Sequence, residues 1–234
     1  MTAIDLPKPD ESSVPGTVHF AVVTALSVWL LLVLSLGAAG AFVGAPHTPP
    51  LALGIGVTAP LIVFFLWLRL SPSFREFVLS LDLRLIVGMQ AWRWAGMGFL
   101  SLYAHKVLPA VFALPAGIGD MAVGVTAPWM ILALLRQPGF AARGSFIRWN
   151  VFGILDLLIA ISIGTVSAFL ATGAPGEIST IPMATLPLLL IPTFLVPLFL
   201  MLHAAALMQS RQLIRSQRKG HWSDGTSASQ ERTE

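Results

Sequence analysis

The sequence predicts an all-α bundle of six transmembrane helices with both termini in the cytoplasm. Three observations carry that expectation. First, 56% of the 234 residues are hydrophobic and only 11% are charged, whereas a soluble domain carries about 25% charged residues. Second, the apolar residues fall in blocks of roughly 20, the length that crosses a bilayer. Inside hydrocarbon each block has to be helical, because nothing there satisfies unpaired backbone groups. Third, the basic residues are one-sided. With the N-terminus inside, the inner side holds Lys8, Arg69, Arg75, Arg84, Arg136, Arg143, Arg148, Arg211, Arg215, Arg218, Lys219 and Arg232, 12 of the 14. The outer side holds only Lys106, and Arg93 lies within a span. Such asymmetry sets orientation, so the net charge of +3 does not point to nucleic acid.

The elements follow in order. Residues 1–17 form a polar cytoplasmic N-terminus with Asp5, Asp10, Glu11, Pro7, Pro9 and Pro15. They lack the basic start of a signal peptide, and the apolar run after them is too long for its core, so it is expected as a retained first span. The membrane domain covers 18–208, with spans at 18–43, 51–70, 85–104, 117–135, 147–172 and 185–208. Residues 209–234 make a basic and polar cytoplasmic tail, expected to be disordered or to lie along the membrane surface.

Two connections carry structure of their own. In "SPSFREFVLSLDLR" (71–84), Phe74, Phe77, Val78 and Leu81 recur at helical spacing among Arg75, Glu76 and Asp82. That suits a short amphipathic helix on the inner surface, or equally the frayed start of the third span. On the outer side, "VLPAVFALPAGIGD" (107–120) is apolar but broken by Pro109 and Pro115. Because 107–135 is too long for one straight span, a re-entrant or interfacial segment leading into the fourth span is expected. "GVTAP" occurs at 56–60 and again at 124–128, through hairpin duplication or shared packing needs. Pro182, Pro187, Pro192 and Pro197 recur every five residues. They share no helix face, so the sixth helix is expected to start late or to curve.

The chemistry-bearing residues lie inside the spans. An unpaired arginine at mid-bilayer costs at least ~3 kcal/mol, so Arg93 has to face the bundle interior, find an acid or reach a headgroup. At 1.5 Å of rise per residue, Arg93 sits ~12 Å from the inner side, Asp156 ~13 Å and His203 ~8 Å. Gln90 lies one turn below Arg93, and Asn150 lies near the inner surface of the fifth span. A polar cluster of Gln90, Arg93, Asp156 and His203 follows, with Asn150 at its rim. It suits a site for an anionic headgroup, a small ligand or a proton relay; alternatively, an Arg–Asp pair fixes helix packing. Gly153, Asp156, Ala160, Gly164 and Ser167 form a stripe of mainly small residues that lets helices approach. Asp120, after "PAGIG", is expected as an N-cap or first-turn acid. The alternative is a cation or substrate contact from outside, with His105 and Lys106 nearby.

With no cysteine, disulfides, thiolate metal sites and a cysteine nucleophile are excluded. His19, His47, His105, His203 and His221 show no close metal-ligand spacing, and the differing depths of His19 and His203 argue against a haem. Neither metal nor cofactor is expected, and there is no Walker, GxSxG or HExxH motif. The seven tryptophans are mostly core or interface residues.

"QAWRWAGMGFLSLYAHKVLPAVFALPAGIGD" (90–120), with an arginine in a span, then "LP", then "ALPAGxGD", resembles small bacterial multi-pass membrane proteins of unknown function. The resemblance implies that Arg93, Pro115, Gly117, Gly119 and Asp120 belong to that family's motif and that the chain sits in a bacterial inner membrane. It implies no activity. The function expected is binding or moving a small or lipid-like ligand through the polar cluster. The alternatives are an accessory subunit of a membrane complex and a membrane-embedded enzyme using Asp120, Asp156 or His203 as acid or base. The partners expected are the lipid bilayer and a small-molecule or lipid ligand, with a homo-oligomer or membrane complex also open.

Overall fold

The computed structural model describes residues 16–45 and 47–230, with 218–230 as backbone only. All regular structure among the described residues is helical. The elements are α1 (Gly16–Ala38), α2 (Leu51–Leu70), α3 (Pro72–Ser80), α4 (Leu83–Gln90), α5 (Met97–Ala104), α6 (Ala110–Arg136), α7 (Gly144–Leu170) and α8 (Val196–Gln230). Five stretches are long and apolar enough to cross a membrane: α1, α2, α6, α7 and residues 191–217. Their outer faces carry exposed Phe20, Ile55, Leu70 and Trp129. That is the inside-out surface of a membrane-embedded protein, since lipid imposes no penalty on exposed apolar groups.

The start of α1, the end of α2, α3 and the middle of α8 gather at one end of the bundle, called here the terminal face. His19 packs edge-on against Phe77 at 4.9 Å. Gln209 Nε2 donates to the carbonyls of Val78 and Leu81 at 3.0 and 2.9 Å. The opposite end, the far face, holds the 105–109 turn and the 171–180 loop.

The amphipathic segment after α2 is a helix of its own. Ser71 caps it by accepting the Phe74 N–H at 3.2 Å, and Pro72 occupies the first turn, where no N–H is needed. Its apolar face is buried: Phe74 stacks on Trp67 at 4.1 Å and Val78 is enclosed. Asp82 then caps α4 and forms a fork with Arg84.

Two expectations are corrected here. The re-entrant segment at 107–120 does not exist. α6 runs unbroken from Ala110 to Arg136, with Pro109 at its N-cap and Pro115 and Pro128 inside. An interior proline removes one helix hydrogen bond and can bend a helix without ending it. The roughly 40 Å of α6 exceed a ~30 Å hydrocarbon layer by an amount that tilt absorbs. Consequently Asp120 is neither N-cap nor first-turn acid; it lies mid-helix. α8 continues to Gln230, and Gln209 and Ser210 are buried.

The proline series behaves as the spacing suggests. Residues 185–189 form a bend and turns, a π-helical turn covers Ile191–Leu195, and α8 begins only at Val196. Pro197 has no N–H to offer the Thr193 carbonyl. Trp29 of α1 fills the vacancy, donating from Nε1 at 3.0 Å.

Candidate functional site

The segment 83–104 is helical throughout but not uniformly so. Between α4 and α5, Ala91–Gly96 tighten into a 3₁₀-helix. The burial pattern explains why. Gln90, Arg93, Gly96 and Phe99 are all buried at intervals of three residues. At about 100° per residue an α-helix would carry Gly96 well away from the face of Gln90, whereas 3.0 residues per turn keeps i and i+3 aligned. The tightened turn holds Arg93 on the inward face between residues that also point inward.

Glycines let the neighbouring helices close on it. A Cβ on Gly117 of α6 would lie 2.9 Å from the Gly96 carbonyl oxygen. One on Gly124 would lie 2.7 Å from the Arg93 carbonyl carbon and 2.8 Å from Trp94 Cα. A Cβ on Gly119 would overlap the Asp156 carboxylate, and one on Gly153 of α7 would meet His203 Cε1 at 2.5 Å. Much of the "ALPAGxGD" pattern thus has a physical role: Gly117 clears space for the Gly96 carbonyl and Leu100, Gly119 clears space for the Asp156 carboxylate, and Asp120 is a partner of Arg93.

Arg93 is enclosed on every side, its side chain 0% exposed. Nε donates to Asp120 Oδ1 at 2.7 Å, and Nη2 donates to Asp156 Oδ2. Nη1 reaches the Gly153 carbonyl at 3.3 Å and His203 Nε2 at 3.2 Å. The guanidinium carbon lies 6.0 Å from the Phe199 ring centre. Asn150 Nδ2 donates to the Phe146 carbonyl at 2.9 Å, which turns its Oδ1 to His203 Nδ1, also at 2.9 Å. Oδ1 is an acceptor only, so Nδ1 carries the proton. Nε2 is then the lone-pair nitrogen that accepts from Arg93. His203 is 0% exposed, and Trp149 packs edge-on against it at 5.6 Å.

Of the expected cluster, Arg93, Asp156, His203 and Asn150 are joined by hydrogen bonds, whereas Gln90 is buried without a bond to any of them. Gln90 donates weakly to the Phe199 carbonyl at 3.3 Å, and its Oε1 finds no partner among the described residues. Asp120 joins the cluster through Arg93. His105 does not; it is exposed and turned to the Ser101 carbonyl of its own helix at 2.8 Å.

The charges do not balance. One guanidinium faces two carboxylates, with a histidine whose hydrogen bonds fit the neutral ring. The two acids keep some access, Asp120 at 17% and Asp156 at 10% side-chain exposure. A cavity of about 90 Å³ descends from the far face between α2, α6, α7 and the 180–196 segment. Its walls include Phe42, Phe99, Phe112, Ala160 and Thr180, and Asp120 is the charged residue in its lining. Among the described residues no group of three or more His, Asp or Glu side chains is placed to hold a metal ion.

Comparison with known proteins places this site within a family. A domain of unknown function, DUF8737, matches residues 49–211, from before α2 into α8. The chain belongs to the DUF8737 family. The matched stretch contains all of Gln90, Arg93, Asp120, Asn150, Asp156 and His203. No curated protein and no solved structure matches the chain.

Proposed function

We propose that this DUF8737 protein binds or moves a small or lipid-like ligand, through the cavity that opens at the far face and ends on Asp120. In this reading the chain crosses a bacterial inner membrane six times, with 83–104 as the third crossing and the terminal face in the cytoplasm. The orientation is supported by Arg69, Arg84, Arg136 and Arg143, which fall at or beside helix ends on the terminal face.

The observation that carries the ligand reading is the meeting of a cavity with one edge of a charged network. Ligand pockets are mostly apolar with a few convergent polar groups, and an ionisable residue in a membrane segment marks a functional site by default. The accessible group here is a carboxylate, because the guanidinium behind it has no exposed surface.

The test uses the full chain in detergent, with benzyl alcohol, benzylammonium and benzoate as probes and Ala160→Phe as the variant that fills the cavity. Saturable binding of at least one probe to the wild type, lost in Ala160→Phe, is the expected result. Equal uptake of all three by both proteins would sink the ligand reading. The network would then be packing glue of an accessory subunit, a role that the complete enclosure of Arg93 also suits.

A further inference from the structure

We infer that the occupant of the far-face cavity is a small protonated amine bearing an apolar group, an inference that rests on the ligand reading above. Four observations converge on that class.

The first is the charge count. One guanidinium faces two carboxyl groups, so with both ionised the network carries one negative charge beyond what Arg93 neutralises. A membrane interior makes an uncompensated charge costly, and one ammonium at the cavity floor cancels it. The second is the hydrogen-bond polarity of the floor. Asp120 Oδ1 is engaged by Arg93 Nε at 2.7 Å, while Oδ2 has no hydrogen bond among the described residues. An ionised carboxylate only accepts, so the occupant has to donate. An anion would meet this carboxylate before any positive group, because all three guanidinium nitrogens are occupied and enclosed.

The third observation is the wall. Phe42, Phe99 and Phe112 line the cavity, and phenyl faces attract cations as well as apolar groups. The fourth is size. At roughly 10–15 Å³ per water-sized centre, a cavity of about 90 Å³ holds an occupant of about six to nine non-hydrogen atoms. Benzylammonium is of that size. Benzyl alcohol has its shape without the charge, and benzoate reverses the charge.

Equilibrium dialysis of the full chain in a non-ionic detergent at neutral pH, with uptake by Ala160→Phe subtracted, ranks the three probes. Benzylammonium is expected to bind at least roughly tenfold more tightly than benzyl alcohol, with benzoate weakest. In Asp120→Asn the gap between benzylammonium and benzyl alcohol closes while benzyl alcohol still binds. If benzyl alcohol or benzoate binds as tightly as benzylammonium to the wild type, the amine inference is overturned and the ligand site stands. Should no probe exceed the Ala160→Phe background, the ligand site itself falls and the inference with it. The wild-type ranking needs no variant of the network, so it decides the matter even if Asp120→Asn does not fold.

Discussion

Replacing Arg93 by methionine tests the network at its centre. Methionine retains a flexible apolar chain of similar length but removes every donor. Two carboxylates, on α6 and α7, then lose their counter-ion, and His203 Nε2 and the Gly153 carbonyl lose a donor. Removing one partner from a buried ion pair costs about 3–5 kcal/mol. Asp120 and Asp156 keep 17% and 10% side-chain exposure, which favours the lower end, about 3 kcal/mol. That is roughly a hundredfold shift in the folding equilibrium. The assay is reversible unfolding in mixed detergent and dodecyl sulfate micelles, followed by tryptophan fluorescence, since Trp149 packs on His203. A triple variant, Arg93→Met with Asp120→Asn and Asp156→Asn, removes the abandoned charges and should recover at least half of the loss. The reasoning is refuted if Arg93→Met is as stable as wild type, or if the triple variant is less stable than the single one.

Two further outcomes are expected. Gly124→Ala drives a methyl into the backbone of Arg93 and Trp94 and should destabilise by about 1–3 kcal/mol. Gly98→Ala meets nothing within 4 Å and should be neutral or stabilising by up to about 1 kcal/mol; equal effects at the two sites in the same micelle assay would contradict the close approach of α6. In the 171–180 loop, the Thr172 N–H, the Thr172 hydroxyl and the Gly173 N–H donate to the Glu177 carboxylate at 2.9, 2.9 and 2.7 Å. These bonds favour the charged form and hold the group below its ordinary 4.5, the Thr172 backbone bond contributing most. A lowered acid stabilises its loop above the ordinary value and loses that contribution as pH falls through the folded one. Protection of the Thr172 and Gly173 amides against hydrogen exchange, corrected for intrinsic rates, should therefore fade only in acid, and Glu177→Gln should lack it at neutral pH. Protection in the variant equal to wild type would show that the carboxylate does not hold the loop.

Much of this fold was legible because hydrophobic blocks report directly on membrane length. The expected second span, 51–70, coincides with α2. The cluster was legible for a related reason: depth along a helix is fixed by residue count, so Arg93, Asp156 and His203 could be matched without knowing which helices touch. Asp120 was misplaced by the same arithmetic. Starting the fourth span at residue 117 put this acid at a helix end; α6 begins at Ala110, which moves it inward to the level of Arg93. The obstacle was Pro115, read as a breaker although one lost hydrogen bond is tolerable inside a packed helix. The 3₁₀ turn was hidden for a different reason. Its signal is the three-residue spacing of Gln90, Arg93, Gly96 and Phe99, and a glycine at one of those positions gives no apolar mark to count.

The way Arg93 is held separates its two possible duties. A device that only fixes packing is best served by balanced charge, one acid for one base, because every surplus charge away from water subtracts from stability. Here the base is balanced by Asp156, from the same helix whose Gly153 carbonyl it also binds, and His203 closes the remaining side through Asn150. Those contacts suffice to lock α7 and α8 around the 3₁₀ turn. Asp120 adds a second carboxyl group from a third helix, at an edge of the network that meets a cavity. A local feature that works against stability is expected where function is served. The enclosed half of the network fits a packing role, and its unbalanced edge is where a ligand would be met.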